Sequence, residues 1–378
     1  MLGATMLGCT GAPTVDAGLD GGPVDGGPLD GGPVDGGGPP DAPRDAHRDA
    51  PIDAPADAPA DTQLGRRTRP PVRPPESRLA ARATREVLAT GEIVEVERGR
   101  GGRSLGFRLT FADGSRAYFK PEQTFSGMHW YAEIAAHHLD HALGLHRAPV
   151  VVGRSIPWSS LEPAAGDDVR VSEIVVGADG LVRGAVIAWI EERLVPLRAP
   201  VGWERWIRLD ASPAITPFSR PRAWYRAVDA EDAGAPVLVH APDEPDTDER
   251  AAELSDLVVF DYLVHNPDRW SDNSTNVRTR GEGGPLVHLD QGAGFSPRRA
   301  RLRLMDARLE AAQRFRRTTI DAVRALDLEA YAGALEADPL APILDPRQLA
   351  HLEERRAYLL EHVDALAHDR GEEQVYAW

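Results

Sequence analysis

The sequence predicts an α+β protein whose folded part forms two lobes facing each other across a cleft. Three observations predict it. Residues 91–123 alternate apolar and polar side chains in three short runs, the pattern of half-buried strands. A single helical stretch follows, at 126–145. From about residue 250 onward the apolar spacing becomes that of helices.

The elements follow in order. "GEIVEVERGRGGRSLGFRLTFADGSRAYFKPEQ" (91–123) places Ile93, Val94 and Val96, then Phe107, Leu109 and Phe111, then Ala117 and Phe119. Two turn signals separate the runs: Gly99 to Gly102, and Asp113-Gly114, a strong hairpin dipeptide. The expectation is a three-stranded antiparallel meander. "SGMHWYAEIAAHHLDHALGL" (126–145) is helical by the spacing of Ala135, Leu139, Ala142 and Leu143, with Gly144 placed to stop it. "APVVVGRSI" (148–156) and "LVRGAVIAWIEE" (181–192) read as strands. Helices are expected over 249–265, 304–325, 327–336 and 347–367, with a short strand from Leu286 to Leu289. Between the halves, 155–250 is rich in proline and acidic residues; its Trp203, Trp206 and Trp224 are expected to pack rather than to bind. The lobes would be residues 79–192 and 193–378.

The fold is preceded by a different kind of sequence. Eleven aspartates against Arg44 and Arg48 put −9 of the net −16 into residues 10–62, leaving an ordinary −7 elsewhere. Aspartate recurs every five and then every four residues there, but the frequent prolines forbid a helix and few large apolar groups are present to bury. Together with the basic, proline-rich 66–78, this reads as a disordered, self-repelling tether over 10–78. Ahead of it, Met6-Leu7-Gly8-Cys9 resembles a bacterial lipobox, so residues 1–9 are expected to be a remnant signal whose Cys9 carries a lipid anchor.

Composition excludes several classes. One cysteine allows neither an internal disulfide nor a thiolate zinc site. An acidic balance argues against nucleic acid as a partner. No apolar run approaches the about 20 residues that cross a bilayer.

Two groups of residues could carry chemistry. Lys120 ends the third strand in "AYFKP" and Glu133 lies in the first turns of the next helix; that order suits an ion pair aiming the lysine at nucleotide phosphates. Gly99, Gly101 and Gly102, in the turn between the first two strands, would let backbone amides approach the same phosphates. The second group is "HNPDRWSDNSTN" (265–276), at the end of an apolar helix. Asp268 followed five residues later by Asn273 repeats the spacing of a kinase catalytic loop. Asp290 then ends a short strand before a glycine-rich turn, a suitable place for a metal ligand bridging phosphates.

"YAEIAAHHLDHALGLHRAPVVVGR" (131–154) resembles the secretory-pathway kinases typified by Golgi casein kinase. "DLVVFDYLVHNPDRW" (256–270), "LVHLDQGAGF" (286–295) and the stretches 314–326 and 344–363 are closer still to the four-jointed proteins of that group. The resemblance covers about residues 90–365. It implies an atypical protein-kinase-like fold and phosphate transfer from ATP with Mn²⁺ or Mg²⁺. It further implies Lys120 as the phosphate-contacting lysine, Glu133 as its partner, Asp268 as the catalytic aspartate, Arg269 stabilising the loop or orienting Asp268, and Asp290 as metal ligand. Asn273 and Asn276 compete for the second metal position. The sequence departs from the family in lacking its paired cysteines, in Trp270-Ser271 where histidines stand, and in Gln291 where asparagine stands. The expected activity is that of an exported, membrane-tethered kinase acting on Ser/Thr of extracytoplasmic proteins. A sugar or small-molecule kinase and a partner-binding pseudokinase are the alternatives.

Overall fold

The structure is a computed structural model that describes residues 85–99, 102–125, 127–197, 203–210, 216–218, 248–270 and 276–378. Cys9, the 10–78 tether, Gly101, Trp224 and Asn273 lie outside the described residues.

The expected meander is present and forms part of a larger sheet. Strands β1 (Ile93–Arg98), β2 (Phe107–Phe111) and β3 (Arg116–Pro121) pair antiparallel in sequence, and the five-stranded order is β1-β2-β3-β5-β4. At the β2–β3 hairpin Gly114 takes φ +83°, a conformation open to glycine at no steric cost. β4 (Val151–Pro157) and β5 (Leu181–Ala188) complete the sheet, and Lys120 of β3 faces Ala185 of β5 across the ladder. Alternation along β3 buries Ala117 and Phe119 behind the sheet and leaves Arg116, Tyr118 and Lys120 on the other face. Behind the sheet, Leu105, Phe107, Leu109, Phe111, Phe119 and Val186 form a small core with helix α2 (Trp158–Ala165), which sequence periodicity missed; its Pro163 interrupts the helical pattern.

Helix α1 (Trp130–Ala142) packs against β4 and β5 of this sheet, through Val151 and Ala185, on the side away from the small core. Its Ala132, Ile134, Ala135, Ala136 and Leu139 belong to the larger core, with Leu257, Phe260 and Leu263 of α3 (Asp248–Val264). Gly144 stops α1 as expected, at φ +67°. Trp203 and Trp206 are buried in this core too, as packing residues.

The helix expected over 304–325 is two helices, α4 (Arg303–Ala311) and α5 (Arg317–Arg324). The break follows from where the backbone donors go: Gln313 and Arg314 N–H bond to Ile207 O, and Phe315 N–H bonds to Val375 O. α6 (Leu328–Glu336) and α7 (Pro346–Arg370) match their expected spans closely, α7 opening on a capping box of Asp345 and Gln348. The chain ends in the short α8 (Glu372–Val375). A second sheet orders β6 (Leu194–Pro196), β7 (Val277–Arg280) and β8 (Leu286–His288). No described helix is long and apolar enough to cross a membrane.

Candidate active site

Three residues far apart in sequence, Lys120, Glu133 and Asp290, meet between β3, α1 and the turn after β8. Lys120 Nζ donates to Glu133 Oε1 at 2.6 Å and to Asp290 Oδ1 at 2.5 Å. Glu133 Oε1 also accepts the Gln291 N–H at 2.9 Å, so one carboxylate holds both the lysine and the strand end that presents Asp290. Burial alone would lower the Lys120 ammonium, but the two carboxylates overcome it and hold its pKa well above the ordinary value. In return Lys120 holds the Asp290 carboxyl below the usual range, against its burial.

Asp290 sits at φ +54°, a left-handed backbone that costs a non-glycine residue about 1–3 kcal/mol. Such strain persists where the surroundings dictate it, and here they do. The buried Asn266 donates to Asp290 O at 3.0 Å and to Gln291 Oε1 at 3.1 Å, while its own Oδ1 accepts the Asp268 N–H at 3.1 Å. One amide side chain therefore couples the loop of Asp268 to the turn of Asp290.

Asp268 is exposed, and among the described residues its carboxylate has no hydrogen-bond partner. Burial and then the charge of Asp290 raise its pKa, against the pull of Arg269, Arg308 and Lys120. Two carboxylates that repel each other and offer hard oxygen ligands fit a divalent cation such as Mn²⁺ or Mg²⁺. Among the described residues no three His, Cys, Asp or Glu side chains converge on a metal position. The described carboxylates would therefore supply only part of such a cation's shell, and oxygens of a bound phosphate would complete it.

The bonding of four other expected site residues is fixed within the protein, and that of Gly99 departs from the expectation. Arg269, expected to stabilise the loop or orient Asp268, is fully buried: it pairs with both oxygens of Asp261 at 3.1 Å and donates to Asn276 O and Leu289 O. It is a strut under the loop and is a positioning residue. Gly99 spends its N–H on Gly106 O at 2.7 Å rather than presenting it to a phosphate. Glycine is required at 99 because a Cβ would lie 2.8 Å from the backbone Gly106 O as well as 2.7 Å from Tyr118 Oη. Gly102 takes φ +80°, and its carbonyl accepts from Arg170 at 3.0 Å, which ties the glycine turn to the segment 169–173. Asn276 lies immediately before β7, with its carbonyl taken by Arg269.

Sequence reasoning missed Asn266, Asp261 and Arg308. Arg308, 2% exposed, donates to Pro217 O, Pro267 O and Trp270 O and straps the loop from outside. Trp270 stacks on Trp203 with ring centres 4.9 Å apart, which accounts for an aromatic residue where the family has histidine. A carboxylate at position 261 inside the otherwise apolar stretch Leu257–Val264 was the available signal for the buried pair.

Residues 72–176 and 236–375 match the family described as Golgi casein kinase, C-terminal, Fam20. The human glycosaminoglycan xylosylkinase is 26% identical over 341 residues, covering 80% of this chain and 78% of that protein. The mouse four-jointed box protein 1 is 30% identical over 244 residues, covering 58% of this chain and 46% of that protein. Among solved structures, the Golgi casein kinase with Mn/ADP bound superposes with a TM-score of 0.56 at 20% identity, covering 79% of this chain and 78% of that one. That likeness shows the two-lobed, atypical kinase fold.

Proposed function

The chain belongs to the Golgi casein kinase (Fam20) family, and from that premise we propose that it is a metal-dependent kinase transferring the γ-phosphate of ATP to hydroxyl groups of extracytoplasmic acceptors, Ser/Thr of proteins foremost. The observation that carries the reading is the joint bonding of Lys120 to Glu133 and Asp290, with Asp268 close enough to Asp290 for their charges to interact. In this reading Lys120 holds phosphate oxygens, and Glu133 keeps it aimed. The acceptor oxygen bonds to the γ-phosphorus as the bond from phosphorus to the ADP oxygen breaks, and the acceptor proton passes to Asp268. Mn²⁺ or Mg²⁺, held by Asp290 and, at the second position, by Asn273 or Asn276, would neutralise charge on the phosphates. Asn266, Arg269 and Arg308 hold the loop in register for that transfer.

A sugar hydroxyl is the second reading, favoured by the match of a xylosylkinase across 80% of the chain. Export and attachment through a lipid on Cys9 belong to the same proposal and rest on the sequence "MLGC" alone.

The test is transfer from γ-labelled ATP with Mn²⁺ or Mg²⁺, by the full chain and its Asp290→Ala and Asp268→Ala variants, onto casein and onto a xyloside. Label on casein that both variants lose supports the protein kinase. Label on the xyloside alone supports the sugar kinase. Transfer that survives Asp268→Ala, or neither transfer nor ATP hydrolysis by the unaltered protein, refutes the assignment.

A further inference from the structure

Beneath the catalytic loop lies a group of basic side chains that phosphoryl transfer does not use. His265 opens the loop, donating its N–H to Tyr262 O at 3.1 Å with its backbone at φ +64°. Its side chain is 1% exposed, and neither ring nitrogen has a partner. Arg355 reaches the same corner from α7: its Nε donates to Leu263 O at 2.9 Å, two residues before His265. Its Nη1 donates to Ala300 O at 2.9 Å, and its Nη2 is buried with no partner. His351 lies one turn earlier on the same face of α7, with a buried, unpartnered Nδ1.

Glu354 attracts Arg355 through space, but no carboxylate bonds to it among the described residues. Arg355 is 1% exposed, yet its side-chain partners among the described residues are two neutral carbonyls. Buried ions are normally paired or coordinated, because removing a charge from water is costly. The surroundings bear this strain: burial brings the Arg355 pKa down to about 10, and burial with the Arg355 charge brings His265 down to about 3. Arg355 and Arg347 likewise depress His351, after its burial. Water at the orphan nitrogens would satisfy donors but supply no counter-charge. A small anion does both, and it would let His265 or His351 contribute a ring N–H.

We propose that Arg355, His265 and His351 form a binding site for a small inorganic anion of the halide class. The anion joins α7 to the turn at the end of α3. It also lies beside Val264, whose carbonyl accepts the Phe295 N–H from the turn that follows Asp290. It therefore stabilises the corner from which both Asn266 and the Asp290 turn depart. The proposal is independent of the acceptor and of the kinase reading.

Two measurements on the full-length protein test it. The first is the melting temperature in sodium chloride against sodium gluconate at equal ionic strength. A saturable, chloride-specific rise is expected, reduced in His265→Gly, which keeps the left-handed backbone, and absent in Arg355→Leu. The second is anomalous diffraction from crystals grown with bromide, where a peak within hydrogen-bonding distance of Arg355 Nη2 is expected. Superimposable chloride and gluconate curves overturn the proposal, as does a bromide map with only water beside Arg355. A bromide peak without any melting response means binding at crystal concentration only and overturns it too.

Discussion

Replacing Arg269 by leucine removes one partner of a pair that is sealed from water, with side chains 0% and 1% exposed. Asp261 would be left with a buried carboxylate and no counter-charge, a change that costs about 3–5 kcal/mol. Against a typical total of about 5–15 kcal/mol this is a large share. At about 2–4 °C per kcal/mol for a domain of this class, the melting temperature should fall by roughly 6–20 °C. The pH dependence has a definite sign. Burial already raises the Asp261 pKa above its unfolded value, against the pull of Arg269, and losing Arg269 raises it further. A carboxyl raised on folding stabilises below its unfolded pKa and loses that contribution as the pH rises through the folded pKa. The deficit of Arg269→Leu should therefore shrink as the pH falls toward about 4 and be greatest above neutrality. Adding Asp261→Asn to the same chain removes the orphan charge and should recover roughly half of the loss or more. Urea and thermal denaturation of the wild type, both single variants and the double variant give the coupling energy directly. If the two single losses simply add, the pair does not act as argued.

Two further outcomes follow from other contacts. Gly153→Ala would place a Cβ 2.2 Å from Asp338 Oδ1 and 2.9 Å from Leu340 Cβ, where β4 meets the end of α6; a loss of about 1–3 kcal/mol is expected on denaturation. An unchanged midpoint would show that the junction yields easily. Burial alone would raise the Asp140 carboxyl, but the hydrogen bonds from His288 at 2.8 Å and from the Arg147 and Ala148 peptide groups lower it. An acid depressed on folding contributes above its unfolded pKa, so wild type should exceed Asp140→Asn in stability at pH 7, and the gap should close below about 4. A gap that is constant with pH would contradict that sign.

The parts of the fold that were legible in the sequence are those whose local pattern agrees with their packing. The meander of β1 to β3 alternates cleanly, and α3, α6 and α7 carry long apolar periods. β6 and β7 were not legible, since three or four residues such as "VRTR" carry too little alternation, and pairing across the chain defines them. The break between α4 and α5 depends on carbonyls of Ile207 and Val375, more than 50 residues away in either direction. Lys120, Glu133 and Asp290, which the structure brings together, were legible because each stands near the end or in the first turns of a recognisable element. The groups that hold them are buried and act at long range. Asn266 spends its amide on residues 24 and 25 positions later, and Arg308 reaches back 41 residues to Pro267. No local pattern records such partners, although Asp261 inside the apolar stretch Leu257–Val264 was a visible hint of one.

Helix α1 packs into the core of the lobe that follows it, and it is bonded to β8 and the turn beyond at both ends. His129 N–H meets Gly292 O and Glu133 meets Gln291 near its start; Asp140 and Arg147 meet His288 near its finish. A lobe whose helix is lodged in its neighbour's core is tied to that neighbour in folding, even with a small core of its own. The first sheet cannot come apart without exposing Ala135, Leu139 and the apolar face of α3, so the two lobes should melt as one cooperative body and fail together under proteolysis.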